Sequence, residues 1–339
     1  MLQKILSKLS KDDFETLYNE YGTLHTMLQL LPKECYQIFN LLFCVRRPLS
    51  RERIASNFRN VSKEEMDEFF RKLLAVHICE PCASDPDAIE LNPVFLKNYE
   101  KSLNSGNHCQ WNFKKEFKHE VSDAVFYCED CYHNNNSLLL DPVSYTFPPP
   151  RSPHAQPPSV SEVRDCFLRC KLLRADSAAK FAITATGYQF LMKSYRDQAW
   201  WLLHPHITSA NALPALSFLF SLRHMIPCRA YDVAALSEPQ RQLLEIARIA
   251  GVVYTPTTAG KRVFFATPLG AALFTQEGAS RGEGGRKSGG EGFMKAEGSM
   301  RVVIEANFHV YAFGLLAENR LHVQLLRQFL EQRVFSRGE

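Results

Sequence analysis

The chain has 339 residues, 45% of them hydrophobic, which is ample for buried cores and points to two or three domains. A formal net charge of +4 is too balanced to name a partner, although 160–275 is basic while the first 140 residues are slightly acidic. Ten cysteines are too few for a disulfide scaffold, no apolar run approaches the roughly 20 residues of a membrane span, and MLQKILSKLSKDD lacks the apolar core of a secretory signal; a reducing intracellular compartment is expected.

From the start of the chain, Asp12 and Asp13 beside Lys11 read as a helix start, not as a carboxylate pair for acid–base work. Pro32 opens the helical run PKECYQIFNLLFC, where its missing N–H is harmless in the first turn. Ser62 and Glu65 form a capping box for SKEEMDEFFRKLLAV, whose Met66, Phe69, Phe70, Leu73 and Leu74 recur at helical spacing.

Two CxxC pairs follow. Cys79 and Cys82 lie in HICEPCA, expected on a hairpin, and Cys128 and Cys131 lie in FYCEDCYHNNN, expected in a polar stretch. Paired thiolates on tight turns can supply corners of a tetrahedral zinc site. A local set would use Cys109, Cys128, Cys131 and His133, but the spacing lacks the histidine pair of a zinc finger. The expectation is therefore no metal and no cofactor, with the thiols serving as small buried hydrophobes.

The run FPPPRSPHAQPP has too many prolines for a helix or central strand and reads as a linker. Ser237 and Gln240, around Pro239, cap SEPQRQLLEIARIAG, which Gly251 stops. EGASRGEGGRKSGGEGFMKAEG has nothing to bury and should be disordered. In RVVIEANFHVYAF, Ile304, Phe308, Val310 and Ala312 alternate with Glu305, Asn307, His309 and Tyr311, the period of a half-buried strand. A helix should follow in ENRLHVQLLRQFLEQRVF, with Leu321, Leu325 and Phe329 on one stripe.

Three segments recur: AIELNPVFLKNY (88–99), FAITATGYQFLM (181–192) and VFFATPLGAALF (263–274). Each is a short strand, a polar or proline turn and the opening of a helix, and each follows a helix and a short apolar stretch. Those are the parts of a winged helix. The expected fold is mainly α with short β-hairpins (α+β): tandem winged-helix-like modules, then a linker and the start of a small α/β module. The boundaries expected are an N-terminal helical, winged-helix-like domain at 1–145, a proline-rich linker at 146–159, a helical domain with two such modules at 160–276, a Gly-rich charged linker at 277–299 and the opening of the α/β module at 300–339. Gly187 should permit a close backbone approach or a positive φ. Tyr188 and Phe190, with Trp200 or Trp201 some three turns on and Phe218 in ALSFLFSLR, should be structural anchors.

The sequence carries no GxxxxGK[ST] and no HExxH, and its GxSxG match, GASRG at 278–282, falls inside the Gly-rich charged run rather than between a strand and a helix. His204 and His206 flank a proline in LLHPHI and read as a helix end. An enzyme is not expected.

The order of AITATGYQFLMKSYRDQAWWLLHPHI (182–207), ALSFLFSLR (215–223), KRVFFATPLGAALF (261–274) and VVIEANFHVYAF (302–313) resembles the 52-kDa subunit family of the general transcription factor IIH core complex. LPKECYQIFNLLFCVRRPLS (31–50) and LNPVFLKNY (91–99) match more loosely. The resemblance implies a nuclear, non-enzymatic scaffold. Its tandem winged helices would contact other core subunits, and a later α/β module would hold and stimulate the XPB translocase in promoter opening and nucleotide excision repair. The mixed face of the 302–313 strand, Glu305, Asn307, His309 and Tyr311, is expected to meet the partner that the resemblance names, with Arg301 and Arg320 as rim charges. The chain stops short of the element that binds the smallest subunit in this family, so the resemblance does not carry that contact. The alternative is a winged-helix nucleic-acid binder, which needs Arg, Lys, Asn or Gln outward on a recognition helix; Lys63, Glu64, Glu65, Asp67 and Glu68 lead the exposed set of one candidate, and Arg241 and Arg248 that of another.

Overall fold

A computed structural model describes residues 2–103, 111, 113–118, 121–152, 155–175, 181–226, 229–256, 262–274, 301–304 and 310–313. The first half runs α1 (Leu2–Leu6), α2 (Lys11–Leu17), α3 (Tyr21–Leu30), α4 (Lys33–Val45), β1 (Leu49–Ser50), α5 (Arg51–Ala55), α6 (Lys63–Ala75), β2 (Cys79–Cys82), β3 (Asp85–Leu91), α7 (Pro93–Leu103), β4 (Phe113–Lys118) and α8 (Val121–Leu140). The second half runs α9 (Val160–Arg169), β5 (Leu173–Ala175), β6 (Phe181–Ile183), α10 (Ala185–Leu191), α11 (Tyr195–Leu203), a 3-10 turn (His204–His206), α12 (Ala212–Leu222), β7 (Arg229–Asp232), a 3-10 turn (Val233–Ala235), α13 (Glu238–Ile249), β8 (Val253–Tyr254), β9 (Val263–Ala266), α14 (Pro268–Ala272), β10 (Arg301–Ile304) and β11 (Val310–Phe313). The chain is mostly helical, with short antiparallel strands.

Local signals set many helix starts. The Ser62 box closes on Glu65, with the Ser62 N–H donating to Glu65 Oε2 at 2.9 Å, and the Ser237 N–H donates to Gln240 Oε1 at 3.0 Å. Ser10 with Asp13 and Ser159 with Glu162 repeat the device at α2 and α9. Gly251 ends α13 in the left-handed region at φ 73°.

The three recurrent segments share one hydrogen-bond plan. Each leading helix ends on a left-handed residue: His77 (φ 50°), Lys171 (φ 58°) or Gly251 (φ 73°). The next residue, Ile78, Leu172 or Val252, is fully buried. Its N–H reaches back five positions, to the carbonyls of Leu73 (3.2 Å), Phe167 (2.9 Å) and Ala247 (2.8 Å), closing a Schellman motif. Its own carbonyl accepts the N–H of Asn92 (2.9 Å), Thr184 (3.0 Å) or Thr267 (3.1 Å) after the hairpin. Those three residues then cap α7, α10 and α14: Asn92 Oδ1 accepts from the Phe95 N–H at 3.0 Å, Thr184 Oγ1 from Gly187 at 3.0 Å, and Thr267 Oγ1 from Gly270 at 3.3 Å. One carbonyl thus ties the end of one helix to the start of the next.

The first and third repeats also share a sheet order. Strands β1, β3 and β2 lie in that order, and β7, β9 and β8 likewise, with β4 added outside β7. Among the described residues, the second repeat has only the β5–β6 pair. The first and third repeats meet through α12, whose Leu216, Phe218, Leu219 and Phe220 are fully buried. Its Ser217 Oγ donates to Glu20 at 2.7 and 2.8 Å, and burial raises the carboxyl of Glu20 above its ordinary range.

Several elements differ from the sequence reading. FYCEDCYHNNN is the middle of α8, a 20-residue helix, and not a polar stretch. Two of its three asparagines are bonded: Asn135 Nδ2 donates to the Ile249 carbonyl at 2.9 Å, and Asn134 Oδ1 accepts from Tyr145 Oη at 3.0 Å. The helix after Gly187 breaks at Lys193, so Trp200 belongs to α11 and not to a continuation of α10. The run at 301–313 is not one strand: Arg301–Ile304 pairs antiparallel with Val310–Phe313, Arg301 opposite Phe313 and Ile304 opposite Val310. Alternation on both sides of a turn imitates a single longer strand. The proline-rich run is in contact with the helices beside it. Arg151 bonds Asp130 at 2.6 Å and Glu129 at 2.7 Å, and the Gln156 N–H donates to the Thr255 carbonyl at 2.9 Å. The glycine-rich segment at 277–298 and the helix expected after 318 lie outside the described residues.

Candidate functional site

Among the residues expected to face a partner, Arg301 and Tyr311 lie on β10 and β11, with Val303 opposite Tyr311. Glu305, Asn307, His309 and Arg320 lie outside the described residues. Among the described residues, β10 and β11 pair only with one another, so each strand keeps one edge free of a ladder.

Phe190 is fully buried, its ring 6.1 Å from that of Phe167 on α9. Tyr188 packs on the same core while remaining partly exposed. Gly187 is there for a close approach: a β-carbon would lie 2.5 Å from the Leu172 carbonyl oxygen and 2.6 Å from Ile183 Cγ1. Trp200 anchors α11 to the third repeat, its Nε1 donating to the Leu273 carbonyl at 3.2 Å and its ring edge-on to Phe274. Trp201 is only partly buried. Phe218 sits 6.0 Å from Phe264 and 5.9 Å from Trp111.

The thiols expected as candidate zinc ligands do not converge. Cys128 and Cys131 are buried on one side of α8 while His133 is exposed, because residues two apart on a helix face away from each other. The Cys128 thiol donates to the Tyr195 hydroxyl at 3.6 Å, and burial pushes it up to about 12. The Cys131 thiol donates to the Arg248 carbonyl at 3.7 Å, and Tyr127 Oη reaches the same carbonyl at 3.0 Å. Tyr127, Cys131 and Asn135 thus add side-chain donors to the Arg248 and Ile249 carbonyls at the C-terminal end of α13. Cys109 lies outside the described residues. Cys79 and Cys82 are buried on β2, where the Cys82 sulfur faces Ser84 Oγ at 3.1 Å.

A different cluster does converge. Cys166 on α9, Cys170 at the end of that helix and His206 in the turn after α11 place their ligand atoms within 4.8 Å of one another. A hydrogen bond from the Cys166 thiol holds Cys170 below the usual thiol range, against the effect of burial and with help from His206. His206 Nε2 is enclosed with no hydrogen-bond partner. The sequence does contain the signal, two cysteines at i and i+4 and a histidine beyond, but the contact across 36 positions is made only by the packing of α9 on α11.

The outward surface of α6 is acidic, and on α13 one of the two arginines is neutralised. Lys63, Glu64, Glu65 and Asp67 are exposed on α6. On α13, Arg241 is exposed, but Arg248 is buried between Glu162 (2.6 Å) and Glu245 (3.1 Å) and has no charge to spare for a phosphate. Sequence reasoning offered Arg248 outward; the ion pairs draw it in.

Comparison with known proteins gives one consistent result. A family described as Transcription factor Tfb2 matches residues 4–335. The General transcription and DNA repair factor IIH subunit TFB2 of Yarrowia lipolytica is 24% identical over 333 residues, covering 90% of this chain and 67% of that protein. General transcription factor IIH subunit 4 of Dictyostelium discoideum is 24% identical over 368 residues, covering 96% and 72%. The TFB2 subunit of Arabidopsis thaliana is 29% identical over 152 residues, covering 43% and 30%. The chain spans about two thirds of the length of the fungal relatives it matches over most of its own. A match that runs through all three repeats and on to residue 335 places the chain in the Tfb2 family of transcription factors.

Proposed function

We propose that the chain is a nuclear scaffold subunit of the general transcription factor IIH core, serving transcription initiation and nucleotide excision repair. Members of the family are non-catalytic subunits, and the chain is not an enzyme. The observation that carries the reading is the family match across 4–335. In this reading the repeats are winged helices used as docking parts, consistent with the shared strand order of the first and third and with the joints common to all three. The acidic face of α6 and the neutralised Arg248 favour protein partners over a phosphate backbone.

The hairpin β10–β11 opens the module that holds an XPB-type translocase and raises its ATPase. Its free edges can pair with a strand of that partner, and Glu305 and Tyr311 are the residues offered as main contacts, with Asn307 and His309 beside them and Arg301 and Arg320 at the rim. The test is a reconstituted core complex carrying Glu305→Lys and Tyr311→Ala together. The variant should release the translocase and lower its ATPase while the other core subunits stay bound. Wild-type translocase occupancy in that variant, combined with its loss on deleting 160–275, would move the anchor to the helical repeats.

A further inference from the structure

We propose that Cys166, Cys170 and His206 form a zinc site that clamps the end of α9 to the turn after α11. Three observations carry it. First, the three ligand atoms lie within 4.8 Å of one another. Zn–S bonds of about 2.3 Å and Zn–N bonds of about 2.0–2.1 Å require tetrahedral edges of roughly 3.5–3.8 Å, so rotamer adjustments of about an ångström close the set. Second, His206 Nε2 is enclosed without a hydrogen-bond partner. An enclosed ring nitrogen left unpaired costs free energy, and a metal ion is one partner that removes that cost.

Third, the fold does not need sulfur at these positions. Overlaying the two joints by their hydrogen bonds sets Leu172 on Val252 and Phe167 on Ala247, which sets Cys166 on Ile246 and Cys170 on Ala250. Those counterparts are buried at 4% and 1% exposure, so aliphatic side chains fill the same places in the third repeat. The second repeat replaces both with thiols, and there a histidine lies within reach.

Two thiolates and one imidazole are a soft donor set suited to zinc, and two thiolates neutralise its charge. Both cysteines lose their protons on binding, and the fourth position is left to a water. The bond network would reinforce a joint where the Cys170 thiol already makes a long contact to the Leu202 carbonyl, at 4.0 Å.

The experiment uses the full chain, purified under reducing conditions and analysed for zinc, then exchanged with Co²⁺. Binding of about one equivalent is expected, with a thiolate-to-cobalt charge-transfer absorption. Zinc should also slow alkylation of the peptides carrying Cys166 and Cys170 and leave those carrying Cys128 and Cys131 unchanged, which needs no variant. Cys170→Ala, the residue at the equivalent place in the third repeat, should abolish the absorption and the protection of Cys166 while keeping a cooperative melt. Absence of the cobalt band in the wild-type chain would overturn the site, as would a band that persists in Cys170→Ala or zinc protection falling on other thiols.

Discussion

The second and third joints use one hydrogen-bond plan in two surroundings. At the second, the left-handed residue is Lys171, exposed, and the capping Thr184 is half-buried. At the third, the corresponding residues are Gly251 and Thr267, both enclosed, because α8 lies across the end of α13. The plan itself is local, set by a helix end, a short hairpin and a capping side chain. What each position tolerates is set by what packs over it. The comparison therefore separates residues that build the joint from residues that accommodate a neighbour.

The largest effect should come from Gly251. Its φ of 73° is strained for any L side chain, and a β-carbon there would meet the Tyr195 hydroxyl and lie 3.1 Å from Cys131 Cβ. Left-handed strain of about 1–2 kcal/mol adds to overpacking of about 1–3 kcal/mol. Gly251→Ala should thus cost about 2–5 kcal/mol in a urea melt. A cost under about 1 kcal/mol would mean that α8 moves aside freely, and the third joint would then be no more enclosed than the second.

Next come the two glycines that stand three residues after the caps. A β-carbon at Gly187 or at Gly270 would lie 2.5 Å from the carbonyl of Leu172 or Val252, the same oxygen that receives the cap N–H in each joint. Gly187→Ala and Gly270→Ala should each cost about 1–3 kcal/mol, equal within about 1. Unequal costs would show that the shared plan is less rigid in one repeat. Phe95 occupies this place in the first repeat, so its joint must approach differently; the bond from Asn92 to the Ile78 carbonyl is nonetheless kept.

These joints explain what could be read in the sequence and what could not. AIELNPVFLKNY, FAITATGYQFLM and VFFATPLGAALF stand out because strand, cap and helix opening are contiguous, and so are Ser62–Glu65 and Ser237–Gln240. The role of α8 was hidden because Cys131 and Asn135 bond carbonyls more than 110 positions away and Cys128 bonds the Tyr195 hydroxyl, 67 positions away. Cys-x-x-Cys spacing fits a metal turn and a helix face equally well. The same holds for β10 and β11, whose alternation carries no mark of the reversal between them. The cluster of Cys166, Cys170 and His206 was missed because HPH correctly reads as a helix end, and nothing local says what that end packs against.

The caps give a smaller effect that sharpens the contrast. Thr267 Oγ1 lies 2.7 Å from the Gly251 carbonyl and 2.9 Å from that of Val252, and is buried at 2% exposure. Thr184 Oγ1 makes the equivalent contacts to Lys171 and Leu172 at 2.8 and 3.0 Å, but water can reach its surroundings. Thr267→Ala should cost about 2 kcal/mol and Thr184→Ala about 1, since water replaces a lost bond only at the exposed cap. Reversed costs in paired thermal melts would count against the claim that α8 encloses the third joint.

The smallest effect has the opposite sign. Lys171 holds φ 58° with an exposed side chain and no wall around it, so the joint imposes left-handed strain there without any packing return. Glycine removes that strain, worth about 1–2 kcal/mol, and loses about 0.5–1 kcal/mol through the greater freedom of the unfolded chain. Lys171→Gly should therefore stabilise the protein by about 0.5 kcal/mol. It should do so without altering the denaturant slope, because it exposes no new surface. A destabilisation of about 1 kcal/mol instead would mean that the Lys171 stem covers apolar surface at the end of α9, and the exposed joint would have a neighbour of its own.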